Sequence, residues 1–418
     1  MFDFASLRQQ FPGLGQQGNG RAPIFFDGPA GTQVPQRVID AMVSYLTTCN
    51  ANHGGVFATS RSSDAIVNAA HEAIADLINA PAPQEIIFGQ NMTSLTFHLS
   101  RSIAQVLRPG DEVMVTRLDH DANVTPWVLA ARDAGATVRW IDIHPEDCTL
   151  DLDSFRGQLS EHTKLVAVGI ASNGTGTIND VTKITHEARQ SGAWVFVDAV
   201  HYAPHGPIDV RAIGCDFVAC SAYKFFGPHV GILWGRTALL EELPAYKVRP
   251  SPNQLPGRWM TGTQNHEGLA GVGAAIDYLG SIASHLAKVT DRRERLRTAT
   301  TAIRGQEQTL SRRLLAGLAE RPRFRVWGVR DLARLDERVP TIAITARDVP
   351  PQALAEYLAS RQIYVWSGDM YAVELCNRLG LEDQGGFVRL GMVHYNTPQE
   401  IDAVLQALDE MPSPSVYV

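Results

Sequence analysis

The sequence predicts an α/β protein with a large unit, built on a mostly parallel sheet of seven strands, and a smaller α/β unit nearer the carboxyl end. Two observations lead to this prediction. Short apolar runs alternate with helical patterns between residues 85 and 235, and strands separated by helices are typical of a parallel sheet covered on both faces. The chain of 418 residues is also longer than one hydrophobic core usually accommodates.

Seven apolar runs predict the strands of the large unit. They are EIIFG (85–89), DEVMVT (111–116), TVRWID (137–142), KLVAVGIAS (164–172), AWVFVDAV (193–200), DFVACSA (216–222) and GILWG (231–235).

The stretch 266–318 contains no proline and is rich in Ala, Leu, Arg and Glu, which predicts one or two long helices that leave the large unit. Beyond it, TIAITA (341–346), IYVWSG (363–368) and FVRLGMV (387–393) alternate with helical patterns and predict the smaller unit. We therefore divide the chain into three parts. They are an N-terminal segment (1–22) that packs on the small domain, a large domain (23–285) and a small C-terminal domain (286–418).

Composition narrows the functional classes. A net charge of −7 argues against a nucleic-acid-binding surface. Five cysteines without a CxxC pair argue against a disulfide framework and a zinc knuckle, and suit a reducing compartment. The first residues show no secretory signal, and no apolar run is long enough to span a membrane. We expect a cytoplasmic protein that binds neither nucleic acid nor membrane.

Polar residues follow the predicted strands, at the edge where ligands bind in sheets of this kind. Taken singly, each has a structural alternative: Asp198 as a helix cap, His120 as a core histidine and Asn173 as a turn residue. Their shared position favours a common site. The polar residues that follow strands are Gln90, Asn91, Thr93, Asp119, His120, Asn123, Asn173, Asp198, His201, Ser221, Tyr223 and Lys224.

Lys224 is the one lysine in CSAYKFFGPHVGILWGR (220–236), a stretch that is otherwise apolar, aromatic and glycine-rich. Its amine could reach water while its stem is buried. Alternatively, it is a desolvated amine used for covalent chemistry.

The type of cofactor follows from the motifs. The one match to a dinucleotide pattern, GLGQQG (13–18), has neither a strand before it nor a helix after it, and there is no GxxxxGK[ST]. FGQNMTSLTF (88–97) resembles a strand, a tight loop and a helix start, which can bind one phosphate. Together with Asp198 and Lys224, this combination fits pyridoxal 5′-phosphate.

At this point the sequence resembles a known family, the class V aminotransferases of pyridoxal-phosphate fold type I, and is nearest to the cysteine desulfurases of the selenocysteine-lyase-like group. The resemblance extends from Ile24 to Leu408. The motifs that carry it are FFDGPAGTQVP (25–35), NHGG (52–55), LDHDANVTPW (118–127), SNGTGTIND (172–180), VDAVHYAPH (197–205), SAYKFFGPHVGILWG (221–235), TGTQN (261–265) and VRLGMVHYNTPQEID (388–402).

The resemblance implies a role for each matching residue. Catalysis would fall to Lys224, which forms the Schiff base, to Asp198 at the ring nitrogen and to His120, which stacks on the ring. No metal is implied. The implied cofactor-binding residues are Met92, Thr93, His120, Asn173, Asp198, His201, Ser221, Tyr223, Lys224 and Thr263; the implied substrate-binding residues are Arg389, Asn173, Asn52, His53, Trp366 and Tyr371.

The sequence also departs from the desulfurase pattern. His201 stands where many desulfurases have glutamine, and Tyr223 where they have histidine; both can still form hydrogen bonds. Asn91 replaces a glycine, although asparagine tolerates a left-handed turn. The loop that carries the nucleophilic cysteine of desulfurases aligns with VWSGDMYAVEL (365–375), which has no cysteine. Cys376 follows in a helical pattern and is interpreted as a small buried hydrophobe.

The resemblance implies that a small amino acid forms an external aldimine with the cofactor and loses its Cα proton while Arg389 binds its carboxylate. We predict a cysteine desulfurase-like C–S lyase that performs β-elimination without an enzymic persulfide, because the nearest motifs belong to sulfur enzymes. The alternatives are an aminotransferase or epimerase of a biosynthetic pathway, and a non-catalytic scaffold. In the family, the segment matching TGTQN reaches the neighbouring subunit, which implies a homodimer with composite active sites.

Overall fold

The structure, a computed structural model, describes residues 4–16, 22–284 and 288–412. The end of the GLGQQG pattern and the predicted boundary between residues 285 and 286 lie outside the described residues. Within the described ranges, the chain forms a seven-stranded sheet, a four-stranded sheet and two short strand pairs.

The strands, in chain order, are β1 (Ile24–Phe25), β2 (Ile86–Gly89), β3 (Glu112–Thr116), β4 (Thr137–Ile141), β5 (Ile143–His144), β6 (Thr149–Leu150), β7 (Thr163–Gly169), β8 (Trp194–Asp198), β9 (Phe217–Ser221), β10 (Gly231–Gly235), β11 (Phe324–Trp327), β12 (Thr341–Ala346), β13 (Ile363–Tyr364), β14 (Trp366–Gly368) and β15 (Phe387–Gly391).

The helices are α1 (Gln36–Thr48), α2 (Ala58–Ile78), α3 (Met92–Ala104), α4 (Thr125–Ala134), α5 (Leu152–Gln158), α6 (Val181–Gln190), α7 (Val210–Ile213), α8 (Thr237–Glu242), α9 (His266–Ala283), α10 (Arg292–Ala319), α11 (Pro351–Ser360), α12 (Val373–Leu379) and α13 (Pro398–Asp409).

Side-chain caps fix where many of these helices begin. Asn91 and Thr397 form reciprocal capping boxes at the starts of α3 and α13, where each satisfies backbone N–H groups that have no partner inside the helix. Asp180, Asn265 and Asp291 cap α6, α9 and α10 in the simpler way, by accepting one backbone N–H. The cap at α3 matters most here because this helix begins beside the site described below.

The large sheet confirms the predicted strands. Its order is β2-β10-β9-β8-β7-β3-β4. The pairs from β9 to β4 are parallel, whereas β10 runs antiparallel to both β2 and β9. The sheet is therefore mostly parallel, and strands β2, β3, β7, β8 and β9 all end at the same edge.

Helices cover both faces of the large sheet, as the sequence predicts. Along β7, Val166 and Val168 belong to a core cluster that also contains residues of α2, α6 and α9. The alternating residues Leu165 and Ala167 belong to a second cluster, with residues of α3 and α4. Because side chains alternate between the faces of a strand, these two clusters lie on opposite sides of the sheet.

The small sheet has the order β11-β12-β15-β14 and is antiparallel throughout. The predicted strands TIAITA and FVRLGMV are confirmed by β12 and β15. IYVWSG, predicted as one strand, divides into β13, which pairs with β1, and β14, which pairs with β15. Strand β11 has no counterpart among the predicted strands.

Helix α10 takes part in two cores. Leu296, Ala299 and Ile303, in its first half, belong to the core of the large sheet. Leu310 and Leu314, further along, belong to the core of the small sheet. One continuous helix therefore joins the two layers.

Candidate active site

A cavity of about 420 Å³ opens at the edge of the large sheet where β2, β3, β7, β8 and β9 end, and it is closed on the other side by residues of β14, β15 and the loop after β14. Because parallel strands end at the same edge, residues far apart in sequence come together there. The predicted site residues that line it are Met92, Thr93, His120, Asn173, Asp198, His201, Ser221, Tyr223, Lys224, Trp366, Tyr371 and Arg389.

Three predicted site residues do not line the cavity of this chain. Asn52 and His53 lie in the exposed segment before α2, where the His53 ring is 6.0 Å from that of His266. Thr263 is exposed in the loop before α9. The roles of these three residues stay predictions, and the exposure of Thr263 bears on the assembly proposed below.

Lys224 ends a short 3-10 turn, Ala222–Lys224, that follows β9. Its amine donates a hydrogen bond to the carbonyl of Pro29 and lies 4.7 Å from the centre of the Tyr223 ring. Burial lowers the pKa of the Lys224 amine to about 7; the charge of Arg389 adds to the effect and that of Asp198 opposes it. The neutral amine, which can accept a proton, is therefore well populated near neutral pH.

Asp198 ends β8 and accepts a hydrogen bond from the Val200 N–H at 2.8 Å. Burial raises its pKa to about 6, against the lowering effect of that hydrogen bond and of Lys224. The carboxylate is therefore mostly ionised at pH 7 and places a negative charge in the cavity wall.

Asp119 is a second buried carboxyl group at the cavity; the sequence places it among the polar residues that follow strands, but no role was predicted for it. It accepts hydrogen bonds from the Gly169 N–H at 3.0 Å and from Asn123 Nδ2 at 2.9 Å. Burial, followed by the charge of Asp198, raises its pKa to about 8. At pH 7 the pair therefore carries its charge mainly on Asp198. The signal in the sequence is the position of Asp119 shortly after the end of β3.

His120 also lines the cavity and is neutral at pH 7, because burial lowers its pKa to about 4. Its Nδ1 accepts a hydrogen bond from the Ala122 N–H at 3.0 Å. The ring stacks on Tyr371, with centroids 5.4 Å apart and planes 15° apart. A flat, uncharged imidazole is thus presented at the cavity.

The start of α3 contributes backbone N–H groups to the cavity wall. The Met92 N–H donates to Ser221 Oγ at 3.0 Å, and Thr93 lies in the same first turn. The Asn91 backbone lies so close to β10 that a Cβ atom at Gly231 would be 2.3 Å from it. Glycine therefore allows the approach, and the helix start is available for an anion.

His201 and Tyr223, where the sequence departs from the desulfurase pattern, both line the cavity. His201 Nε2 lies 2.9 Å from Thr341 Oγ1, and burial keeps the pKa of His201 well below its usual value. The Tyr223 ring stacks on His229 at 4.8 Å. Each side chain is thus fixed by a neighbour outside the cavity.

Arg389, on β15, is a buried cation of the cavity wall. Its Nη1 donates to the Asn173 carbonyl at 2.8 Å. Burial lowers its pKa to about 10, so it stays charged at pH 7. Its negative neighbour is Asp27, whose pKa burial raises to about 6. Sequence reasoning missed Asp27, although an acidic residue directly after the first strand was a usable signal.

Cys376 does not line the cavity, and it is buried, as its interpretation as a small buried hydrophobe predicts. It is 1% exposed, within α12, and its Sγ lies 3.9 Å from the Asp369 carbonyl. Burial raises the pKa of the thiol to about 12. None of the described residues that line the cavity is a cysteine.

Among residues 4–16, 22–284 and 288–412, no group of three or more His, Cys, Asp or Glu side chains is arranged to bind a metal ion. No helix there combines the length and apolar character needed to cross a membrane.

Comparison with known proteins gives a consistent result. A family model, Aminotransferase class-V, matches residues 24–404. A probable cysteine desulfurase from Streptomyces coelicolor is 31% identical, over 98% of this chain and 97% of that protein. The aminotransferase-like protein FGM3 of Gibberella zeae is 32% identical over 98% of both chains. The apo structure of a cysteine desulfurase from Thermococcus onnurineus NA1 has a TM-score of 0.85, at 25% identity over 97% of each chain.

The donor set of the cavity fits pyridoxal phosphate. A partly buried amine, a partly buried carboxylate and a helix start face one space, and Asn173 Oδ1 is buried there with no hydrogen-bond partner among the described residues. These are the groups that covalent attachment, protonation of a ring nitrogen and phosphate binding require. From the motifs, the fold, the cavity and the comparisons together, the chain belongs to the class-V aminotransferase family and is a pyridoxal-phosphate-dependent enzyme similar to the cysteine desulfurases.

Proposed function

We propose that the protein is a C–S lyase that releases a thiol from a sulfur-containing amino acid by β-elimination and uses no protein thiol. The observation that carries the proposal is the segment formed by β14 and the loop after it. This segment lines the cavity with Trp366, Asp369 and Tyr371, whereas Cys376 is buried outside the cavity with a raised pKa. A sulfur-accepting cysteine must be exposed and readily ionised. The relative from Streptomyces coelicolor supports sulfur chemistry, since it is named a probable cysteine desulfurase.

The proposed reaction balances without an oxidant or a reductant. The Cα–H bond and the Cβ–S bond break, and the electron pair of the Cα–H bond forms a Cα–Cβ double bond. The sulfur leaves with the pair of the Cβ–S bond and takes up a proton to give the thiol. The remaining enamine tautomerises and is hydrolysed by one water molecule, so the products are the thiol, a 2-keto acid and ammonium.

Arg389 would bind the substrate, and Lys224 would transfer its proton. Arg389 is charged at pH 7 and presents a planar guanidinium, which can bind the α-carboxylate through two parallel hydrogen bonds. Lys224, with a pKa of about 7, can take the proton from Cα and later deliver it to the leaving sulfur. When bound, pyridoxal phosphate supplies a conjugated ring that accepts the electron pair left at Cα.

Other cavity residues would bind and orient the cofactor. The Asp198 carboxylate would keep a proton on the ring nitrogen, and the neutral His120 ring would pack on the pyridine face. The first turn of α3, with Met92 and Thr93, and the hydroxyl of Ser221 would bind the phosphate. The remaining proposed contacts come from Asn173, His201 and Tyr223.

A panel of amino acids tests the reaction type. Cysteine, cystine and S-substituted cysteines would be supplied to the holoenzyme while thiol or sulfide, keto acid, ammonia and amino-group transfer are measured together. Release of thiol, keto acid and ammonium in equal amounts supports the lyase. Transfer of the amino group to a keto acid, or inversion at Cα without cleavage, would instead indicate an aminotransferase or an epimerase. A preparation without cofactor absorbance and without any of these products would indicate a scaffold.

The buried thiol gives a direct prediction. We expect Cys376→Ser to keep activity within about twofold, because the thiol lies outside the cavity and an exposed thiolate is what sulfur transfer requires. The measurement is kcat/KM, together with mass spectrometry of protein trapped during turnover. A persulfide on Cys376, combined with loss of turnover in the serine variant, would restore the desulfurase mechanism.

We further propose a cytoplasmic homodimer with shared active sites. All five cysteines are buried and unpaired, which suits a reducing compartment. On α1, Ile39, Val43 and Leu46 are 38%, 54% and 49% exposed at helical spacing, which leaves an apolar stripe for a partner. Thr263 is exposed and outside the cavity of its own chain, as expected if it bonds the phosphate in the partner subunit.

Mixed dimers test the shared sites. Lys224→Ala and Thr263→Ala subunits are each defective, but a heterodimer would contain one site with both native residues. We expect an equal mixture, refolded together, to recover roughly a quarter of wild-type activity at limiting cofactor, as random pairing predicts for sites that combine residues of two chains. A mixture that never exceeds the average of its parents would show that each chain builds its own site.

A further inference from the structure

We propose that Trp366 and Tyr371 form an aromatic pair at the mouth of the cavity that selects substrates with an apolar or aromatic group on the sulfur. The preferred substrate class is therefore S-conjugated cysteine rather than free cysteine. The reaction in this inference is the C–S lyase reaction proposed above. The selectivity is inferred from the residues that line the cavity.

Trp366 is placed beside the proposed carboxylate site by strand pairing. Strand β14 runs antiparallel to β15, and Trp366 lies directly opposite Arg389. Side chains at directly opposite positions project from the same face of a sheet, with Cβ atoms roughly 5 Å apart. A substrate bound through its carboxylate to Arg389 therefore has the indole next to it. The indole is 52% exposed, so its surface is available for contact.

Tyr371 is placed by an unusual backbone. Met370 and Tyr371 both have positive φ angles, 56° and 57°, a conformation that residues other than glycine rarely adopt. Two hydrogen bonds from neighbouring segments stabilise it, both 2.7 Å long: the Asp121 N–H donates to the Tyr371 carbonyl, and Asn173 Nδ2 donates to the Met370 carbonyl. Strained backbone that is so specifically stabilised is characteristic of functional positions.

The consequence of this backbone is that the Tyr371 ring lies over His120. The two rings are stacked at 5.4 Å, and Tyr371 is still 71% exposed. Most large apolar side chains of the protein are buried, so two exposed aromatic rings that line one cavity are exceptions. Both rings offer surface on which an apolar or aromatic substituent can pack.

The size of the group on the sulfur determines how much surface a substrate buries against Trp366 and Tyr371. The side chain of free cysteine ends at the sulfur, so it buries almost no surface against Trp366 and Tyr371. A benzyl group on the sulfur extends the substrate towards the mouth and can bury much of a ring. Because even one methylene in a hydrophobic pocket is worth roughly 10- to 200-fold in kcat/KM, we expect a preference of at least about tenfold for S-benzylcysteine over S-methylcysteine.

Variants of the holoenzyme test the pair. Trp366→Ala removes the indole, and Tyr371→Asn removes the phenol ring while keeping a residue that tolerates positive φ. In each variant we expect the ratio of kcat/KM values for S-benzylcysteine and S-methylcysteine to fall to about threefold or less, mainly through loss on the benzyl substrate. Tyr246→Ala is the matched control, because Tyr246 is a 47% exposed aromatic residue that does not line the cavity.

Analogues that cannot eliminate separate selectivity from reaction type. In 2-amino-5-phenylpentanoate and norvaline, a methylene replaces the sulfur of the two substrates, so only their binding is measured, by titration of the cofactor absorbance or by calorimetry. Should no thiol be released from any substrate, the lyase proposal fails, yet tighter binding of the phenyl analogue and its loss in the variants would still support the aromatic pair. Equal binding of the two analogues by the wild type, or an unchanged preference in both variants, would overturn it.

Discussion

Replacing Lys224 by alanine is expected to abolish the covalent bond to the cofactor and to lower turnover by roughly 10²- to 10⁴-fold or more, the usual range for loss of a general base. The fold should be unchanged, because the amine makes one hydrogen bond, to the Pro29 carbonyl, and its burial disfavours its charged form. Borohydride reduction followed by mass spectrometry measures the covalent bond, and circular dichroism checks the fold.

Lys164→Ala is the matched control for this experiment. Lys164 lies on β7, and its side chain is 44% exposed and pairs with Asp111 at 3.9 Å. We expect this variant to keep both the reducible bond and the activity. If the Lys224→Ala protein retains a borohydride-reducible cofactor bond, another amine carries the cofactor and the assignment is wrong.

Asp198→Asn is expected to retain the cofactor but to slow removal of the Cα proton by roughly 10²-fold or more, since a neutral amide no longer holds a proton on the ring nitrogen and a few kcal/mol of carbanion stabilisation is lost. The rate of exchange of the Cα hydrogen in D₂O measures the step directly. Asparagine is close to aspartate in size, so packing around the end of β8 should change little.

Asp119→Asn is the matched control for Asp198→Asn. Its carboxyl group is buried at the same cavity, but its pKa of about 8 makes it largely uncharged at pH 7, so an amide should mimic it and cost much less activity. Equal losses in the two variants would mean that Asp198 acts through structure rather than charge. Wild-type exchange in Asp198→Asn would mean that its carboxylate has no catalytic part.

The large sheet was predictable because its strands are buried on both faces. Each of the seven apolar runs is confirmed as a strand, with ends that differ by a few residues. The cavity was partly predictable from the strand ends: Asp198 and Ser221 end β8 and β9, and Lys224 follows β9, at one edge of the sheet. The motifs, rather than periodicity, identified Arg389 and the segment that contains Trp366 and Tyr371.

What could not be predicted depends on contacts between distant segments. The pattern of IYVWSG predicts one strand, but its two halves pair with β1 and with β15. The amino-acid sequence of the segment does not indicate this change of pairing partner. Likewise, the raised pKa of Asp119 arises from burial and the nearby charge of Asp198, and the positive φ of Tyr371 is stabilised by Asp121 and Asn173. These properties exist only once the chain has folded.

Helix α10 limits how the chain can be dissected. A fragment cut after Ile303 would keep the residues that pack under the large sheet, but it would strip Leu310 and Leu314 from the other core. A fragment that begins after Ala319 would lack the same leucines and leave the apolar face of the small sheet open to water. Neither half is a sound choice for separate expression, and proteolytic nicking inside this helix would damage both halves at once.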